Sequence, residues 1–204
     1  MGLVISAILF SLASNLDNVV IGIAYGIKKI KINMAANLII AVVTSVGTFL
    51  SMSIGKYISH FLPHFIANVL GAGAITILGV YFVIQSIRKL INDKNSKEIA
   101  LKNTSEMIEY AEKSDLDRSG DISLKEALLA AFGLTFNNIG TGVAASITGV
   151  NITVTVAATF ILSILTIKFG ESVGNHVLGQ FFGKYSPLFS GILLILLGVI
   201  EFLN

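Results

Sequence analysis

The chain contains no cysteine. That excludes a disulfide framework, a thiolate metal site and a cysteine nucleophile. Charge is also scarce: Asp, Glu, Lys and Arg make up 13% of 204 residues, about half the share usual in a soluble domain. Most of these charges crowd between Arg88 and Glu126, leaving long apolar stretches on both sides. No Walker-type phosphate loop occurs, which excludes an ATP-driven pump made of a single chain. No Ser/His/Asp grouping emerges, because His60, His64 and His176 are scattered near loop ends. The expectation is that the protein is not an enzyme. The formal net charge of +2 identifies no partner, since distribution matters more than total, and no nucleic-acid partner is expected. No Lys or Arg precedes the first apolar run, Leu3 to Ile27. A secretory signal has a basic start and an apolar core of about 7–15 residues, so this run is expected to stay as a membrane span.

What is present is apolar residue in long blocks, 54% of the chain. A bilayer-crossing helix needs about 20 mostly apolar residues. Six runs qualify, at 3–27, 34–55, 64–88, 124–148, 151–174 and 184–203. The fold class expected is all-α, a polytopic membrane protein with the lipid bilayer as its first partner. A soluble α/β protein would need polar helix faces or amphipathic strands between the runs, and none is seen. Gly22 to Gly26 and Gly170 to Gly174 have the small-residue spacing that lets membrane helices approach closely.

Basic residues predict orientation. The loops after the first, third and fifth spans hold Lys28, Lys29, Lys31, Arg88, Lys89, Lys94, Lys97, Lys102, Lys113, Arg118, Lys125 and Lys184, whereas the opposite side holds only Lys56. Those loops are expected in the cytoplasm of a plasma-membrane protein, with both termini outside. Residues 15–32 also lie over 135–152 at an offset of 120: Asn18 falls on Asn138, Gly22 on Gly142, Ala24 on Ala144 and Ile32 on Ile152. The reading is therefore a three-helix repeat at 1–90, a hydrophilic loop at 91–122 and a second three-helix repeat at 123–204. An odd number of spans per repeat inverts the second copy, the organisation of secondary transporters, whose sites lie near the midplane between repeats.

Three constellations could carry chemistry. Asp17 sits mid-span among Ser14, Asn15 and Asn18, with Thr135, Asn137 and Asn138 as repeat partners. A charge there costs about 2.5–3.5 kcal/mol on insertion scales and marks a functional candidate. Carboxylate, carbonyl and hydroxyl oxygens suit a hard divalent cation. The structural alternative is a buried polar network joining helices, with Asp17 protonated or paired to Lys168. Lys168 and Glu171 are the second constellation, spaced to pair on one helix face. Otherwise the fifth span ends early, both residues are interfacial and Lys168 snorkels to the surface. The third is DLDRSGDISLKE at 115–126. Asp115, Asp117, Ser119, Asp121 (through its carbonyl), Ser123 and Glu126 occupy the ligand positions of a twelve-residue EF-hand loop, and Gly120 occupies its turn position. This predicts Ca²⁺ binding; the alternative is a polar linker whose Asp121 and Ser123 cap the following span.

With these residues together, the chain resembles the MntP-type manganese efflux pumps, and more closely their sporulation membrane protein relatives, the YtaF group. The segments carrying the resemblance are SLASNLDNVVIGIAYGIKKIKI at 11–32, SIGKYISHFL at 53–62 and DLDRSGDISLKEALLAAFGLTFNNIGTGVAAS at 115–146. The resemblance implies Mn²⁺ as the transported ion and an Asp in each repeat. The first is present as Asp17; Asn137 stands at the second, and Thr44 stands where the pumps tend to have an acidic residue. Both departures remove negative charge from the implied ion path. The expectation is a divalent cation exporter driven by ion or proton exchange, with Asp17 as its core ligand. The alternative is a non-transporting sporulation-associated membrane protein with a Ca²⁺-binding cytoplasmic loop.

Overall fold

The computed structural model describes residues 2–92, 109, 111–174 and 177–203, and for 2, 3, 89, 90, 92, 137 and 177–184 the backbone alone. Six helices account for nearly all of it: α1 (Gly2–Lys28), α2 (Met34–Ser59), α3 (His64–Asn92), α4 (Leu124–Ile147), α5 (Ile152–Val173) and α6 (Val177–Leu203). Five are long and apolar enough to cross a membrane. The sixth span is α4, if its segments Leu124–Phe136 and Asn138–Ile147, which meet at 49°, are taken together. The expected runs match these helices to within a few residues at most ends. The last helix begins earlier, at Val177 rather than 184, because backbone hydrogen bonding can carry a helix past the apolar stretch that flags it.

Polarity is distributed inside out relative to a soluble protein. The buried positions of α5 are Thr155, Thr159, Ser163, Ile167 and Gly170, mostly polar or small and about one turn apart. Its Ile161 and Leu165 face outward, 56% and 58% exposed. On α2 the buried face includes Asn37, Thr44, Ser45, Thr48 and Ser51, while Val46, Phe49 and Leu50 point out. Such a surface suits hydrocarbon, where outward apolar groups cost nothing and polar groups must find partners inside. Many hydroxyls do so along their own helices: Ser11 donates to Ala7 O at 2.8 Å, Thr44 to Ile40 O at 2.8 Å and Thr155 to Asn151 O at 2.7 Å, while Ser45 and Ser146 are buried without a partner among the described residues.

Helix ends follow from local chemistry. Asn33 caps α2 by accepting from the Ala36 N–H at 2.7 Å, and Asn151 caps α5 by accepting from Val154 at 2.9 Å. α1 and α4 end in the same turn. Lys29 and Gly149 take positive φ, 57° and 93°, and the next N–H reaches back five residues, Ile30 to Tyr25 O and Val150 to Ala145 O. That is the Schellman closure, and a non-glycine residue at Lys29 bears a cost of about 1–2 kcal/mol for it.

The helices pair across the chain's two halves: α1 packs on α5, α2 on α4 and α3 on α6. The α1–α5 pair is the closest. A Cβ on Gly22 would meet the Ile167 carbonyl and the Gly170 Cα, and one on Gly26 the Glu171 carbonyl and the Gly174 Cα. The two small-residue pairs read from the sequence thus face each other. At the other end of the bundle Gly55 of α2 lies against Val143 and Ser146 of α4.

The end of α1, the start of α2, the end of α5 and residues 111–123 meet on one side, here termed the loop side. Lys31 donates its N–H to Gly120 O at 2.9 Å and accepts from the Ile122 N–H at 3.0 Å, the one isolated β-bridge among the described residues. Lys28 pairs with Glu112. The α1–α2 connection, residues 111–123 and the end of α5 therefore share a side, whereas Lys184, expected in the loop after the fifth span, lies within α6.

Candidate functional site: an oxygen-lined cavity between four helices

Side chains from α1, α2, α4 and α5 enclose a cavity of about 10 Å³, room for one water or a bare cation. It is lined by Ser14, Asn15 and Asn18 of α1, by Thr44, Gly47, Thr48 and Ser51 of α2, by Leu134, Thr135 and Asn138 of α4, and by Thr159 of α5. The donors around it are mostly engaged elsewhere. Thr44, Thr48 and Ser51 give their hydroxyl protons to Ile40, Thr44 and Thr48 carbonyls at 2.8, 2.9 and 3.0 Å. Thr135 gives its proton to Ala131 O at 2.8 Å. Asn18 donates to Asn15 Oδ1 at 2.7 Å and to Ser163 Oγ at 3.0 Å, and Asn138 donates to Ser14 O at 3.1 Å. A hydroxyl or amide whose protons are committed still offers oxygen lone pairs. The cavity therefore presents acceptors, which suits a hard cation and not an anion.

Apolar clusters bracket the cavity along the bundle. On the loop side Val19, Ile23, Ile40, Ala131, Leu134 and Ile167 pack together. On the far side Phe10, Ala13, Met52, Ile75, Ala144 and Leu194 do so. The cavity thus sits part-way through the bundle, with apolar packing on its loop side and on its far side.

Most of the polar residues expected to meet do meet here: Asn15, Asn18, Thr44, Thr135 and Asn138 all line the cavity. Asp17 does not. It is half-buried on α1, and its position is turned away from the arc that carries Ser14, Asn18 and Asn15, since each helical residue advances by about 100°. The side chain of Asn137 lies outside the described residues. Lys168 and Glu171 pair as their spacing predicts, Nζ to Oε2 at 2.7 Å, yet they lie beyond Thr159 by about 14 and about 18 Å along α5. Both are engaged with the α1–α2 connection: Lys168 Nζ donates to Ile32 O at 2.6 Å, and the Ile32 N–H donates to Glu171 Oε1 at 3.2 Å.

The loop at 115–126 is folded onto its own backbone. Asp115 accepts from the Ser119 and Gly120 N–H groups, each at 3.0 Å. Ser119 donates its hydroxyl to Asp121 O at 2.9 Å. Ser123 caps α4, and Glu126 closes the capping box by accepting from the Ser123 N–H at 2.8 Å. The other Glu126 oxygen accepts from Leu116 at 2.6 Å. The Ser119 hydroxyl and N–H hold the Asp117 carboxyl below its ordinary value. Carboxylate oxygens of Asp115, Asp117 and Glu126 lie within 4.8 Å of one another, a spread that one calcium ion spans, at about 2.4 Å to each oxygen.

Comparison with known proteins finds two kinds of relative. Over 204 residues the chain is 28% identical to a Bacillus subtilis (strain 168) protein named "Probable sporulation protein YtaF", covering 96% of this chain and 97% of that one. Over 148 residues it is 22% identical to a Clostridium perfringens (strain 13 / Type A) protein named "Putative manganese efflux pump MntP", covering 71% of this chain and 66% of that one. The chain is thus similar to YtaF along nearly its whole length and to MntP over 71% of it. No family model and no solved structure matches it.

Several polar residues of the cavity carry no recognisable motif in the sequence. Gly47, Thr48, Ser51 and Thr159 line the cavity, and Ser163 supports Asn18. Their signal was available: hydroxyls recur at one-turn spacing, Thr44, Thr48 and Ser51 on α2 and Thr155, Thr159 and Ser163 on α5. Glu201 was also missed. It is 3% exposed near the end of α6 and accepts a hydrogen bond from Ser6 of α1. A single acid at the end of an apolar run was its trace.

Proposed function

We propose that this protein is an efflux transporter for a divalent cation, manganese, with the four-helix cavity as its central binding site. The observation that carries the reading is the cavity itself: ion-sized, lined by oxygens with most of their protons committed, and flanked by apolar packing on both sides. A cation leaving water must recover its hydration from fixed oxygens. Asn15, Asn18, Thr44, Thr48, Ser51, Thr135 and Asn138 supply them. Asp17 supplies the negative charge on α1, beside the cavity rather than in its lining. The name of the MntP relatives supports manganese as the ion. Ion or proton exchange would drive transport. The two halves act as inverted repeats, a reading supported by the cross-pairing of α1 with α5 and α2 with α4 and by the matching turns at Lys29 and Gly149. The basic loops favour a plasma-membrane orientation with the loop side cytoplasmic and both termini outside.

The test is manganese accumulation in exporter-deficient cells expressing matched levels of each variant. The parent should lower cellular manganese, Asp17→Ala should abolish that, and Asn137→Asp should raise export by adding a second carboxylate. A parent that exports manganese while Asp17→Ala exports equally well would remove Asp17 from the path.

A second reading is favoured by the convergence of Asp115, Asp117 and Glu126: residues 115–126 bind Ca²⁺ on the loop side. The full-length likeness to a sporulation protein allows that binding to be the function of a non-transporting relative. Calorimetry on the whole purified protein should detect Ca²⁺ in preference to Mg²⁺ and weaker uptake by Glu126→Gln. No uptake at millimolar Ca²⁺ would leave the segment a polar linker.

A further inference from the structure

We propose that Lys168 and Glu171 form the latch of a gate on the loop side of the cavity, seated on Ile32 and braced from behind by residues 120–122. The proposal rests on the transport reading above and adds the part of the molecule that governs access to the site. Neither residue is placed to ligate the ion in this conformation. They are about 14 and about 18 Å from Thr159 along α5, and their polar atoms are committed to each other and to Ile32: Nζ to Glu171 Oε2 and Ile32 O, Glu171 Oε1 to the Ile32 N–H. Ile32 immediately precedes Asn33, the cap of α2, and α2 carries Thr44, Thr48 and Ser51 of the cavity. Gripping both backbone groups of Ile32 therefore ties the start of α2 to α5.

Between latch and cavity lies the loop-side apolar cluster, with Ile40 of α2 packed near Ile167 of α5. A path from the loop side opens only if α2 parts from α5 there, and that separation breaks the bonds to Ile32. The cost of release is small by design of the surroundings. The Lys168 side chain is 41% exposed, so water can replace its partners, and an exposed pair holds weakly. The same short connection is held on its other edge, where Lys31 bonds Gly120 and Ile122. Two adjacent residues are thus gripped in opposite directions, one by a membrane helix and one by the hydrophilic loop. Whatever tightens 115–126 steadies Lys31 and with it the seat of the latch.

Because the chain lacks cysteine, single thiols report access cleanly. Ala41→Cys places one on buried α2 between latch and cavity, and Ala144→Cys places one on the far side. Membrane vesicles exposing the loop side are treated with a charged, impermeant maleimide. Adding Lys168→Met or Glu171→Gln should speed labelling of Ala41→Cys about tenfold, the size of a modest coupling between sites. Glu126→Gln, which loosens the loop without touching α5, should speed it by a smaller factor. Ala144→Cys, probed from the opposite face, should keep its rate in every background. Equal Ala41→Cys rates in all backgrounds, or a parallel rise at both thiols, would overturn the latch. The transport reading fails separately, if neither the parent nor any variant moves manganese in the accumulation assay.

Discussion

The two ends of the cavity are held by different means. On the far side the turn after α4 runs Gly149, Val150, Asn151 and leads directly into α5, and among the described residues no side chain of another helix bonds the backbone of 149–152. On the loop side the equivalent turn runs Lys29, Ile30, Lys31, Ile32, with the last two residues held from both edges. The turns themselves share their hydrogen bonds, so the difference lies in what grips them. Apolar packing gives way only by moving whole helices, because interiors are close-packed. A part-exposed ion pair on a backbone can let go to water. The loop side is the adjustable end.

The largest effect should come from filling the helix contacts that both ends rely on. Gly22→Leu drives a side chain into the Ile167 backbone and Gly55→Leu drives one into the Val143 backbone. Each should cost more than the roughly 1–3 kcal/mol of ordinary overpacking, seen as lost membrane yield and a lower Tm. Gly73→Ala, with nothing within 4 Å of its added Cβ, should leave both unchanged. If Gly22→Leu is tolerated at one end and Gly55→Leu is not at the other, the ends differ in packing as well as in grip.

Ser6→Val is next. It strips the buried Glu201 carboxylate of its hydroxyl donor, which should cost about 1.5–3 kcal/mol, the value of a hydrogen bond to a charged group. Glu201→Gln in the same background should recover part of the loss of Tm, since a neutral amide is cheaper to bury.

The caps allow a direct comparison of the ends. Asn33→Ala on the loop side and Asn151→Ala on the far side should each lower stability by about 1 kcal/mol. Because the grip on Ile32 also fixes the entry to α2, Asn33→Ala should be the milder. Thermal unfolding of the two variants decides it, and a larger loss at Asn33 would argue that the grip adds nothing.

The smallest effect is confined to the loop. The Asp117 carboxyl is held below its ordinary value of 3.8, so its contribution to loop order is present above that value and lost as pH falls through the lowered one. The chain has no tryptophan, and Leu116→Trp, at an exposed position, would report this alone. Its emission should hold steady from neutral pH down to about pH 4 and shift below it. Asp117→Asn should remove that step.

Much of this was legible in the chain. Six apolar runs give six helices because a buried backbone in hydrocarbon has little else to form, and the caps at Asn33, Ser123 and Asn151 follow from side chains that reach the next turn. Lys168 and Glu171 were expected to pair because three residues on a helix bring them to one face. Asp17 shows where such reasoning stops. Its neighbours in sequence line the cavity and it does not, since one residue's difference rotates a side chain off the lining arc. Likewise the sequence marked the polar residues at 115–126 but not their attachment to Lys31, a contact between segments far apart in the chain.

Composition and periodicity by themselves determined the membrane, the number of helices and most of their ends. These depend on transfer to hydrocarbon, on local hydrogen bonds and on charge, each set within a few residues. Only the tertiary structure decided that α1 packs on α5, that the hydroxyls of α2 and the amides of α1 and α4 close around one ion-sized space, and that Ile32 is gripped by Lys168 and Glu171. Those are contacts between separate helices of the chain, and the α1–α5 pairing among them is fixed by the close approach of Gly22 and Gly26 to Gly170 and Gly174, where helix backbones touch and no local pattern records the partner.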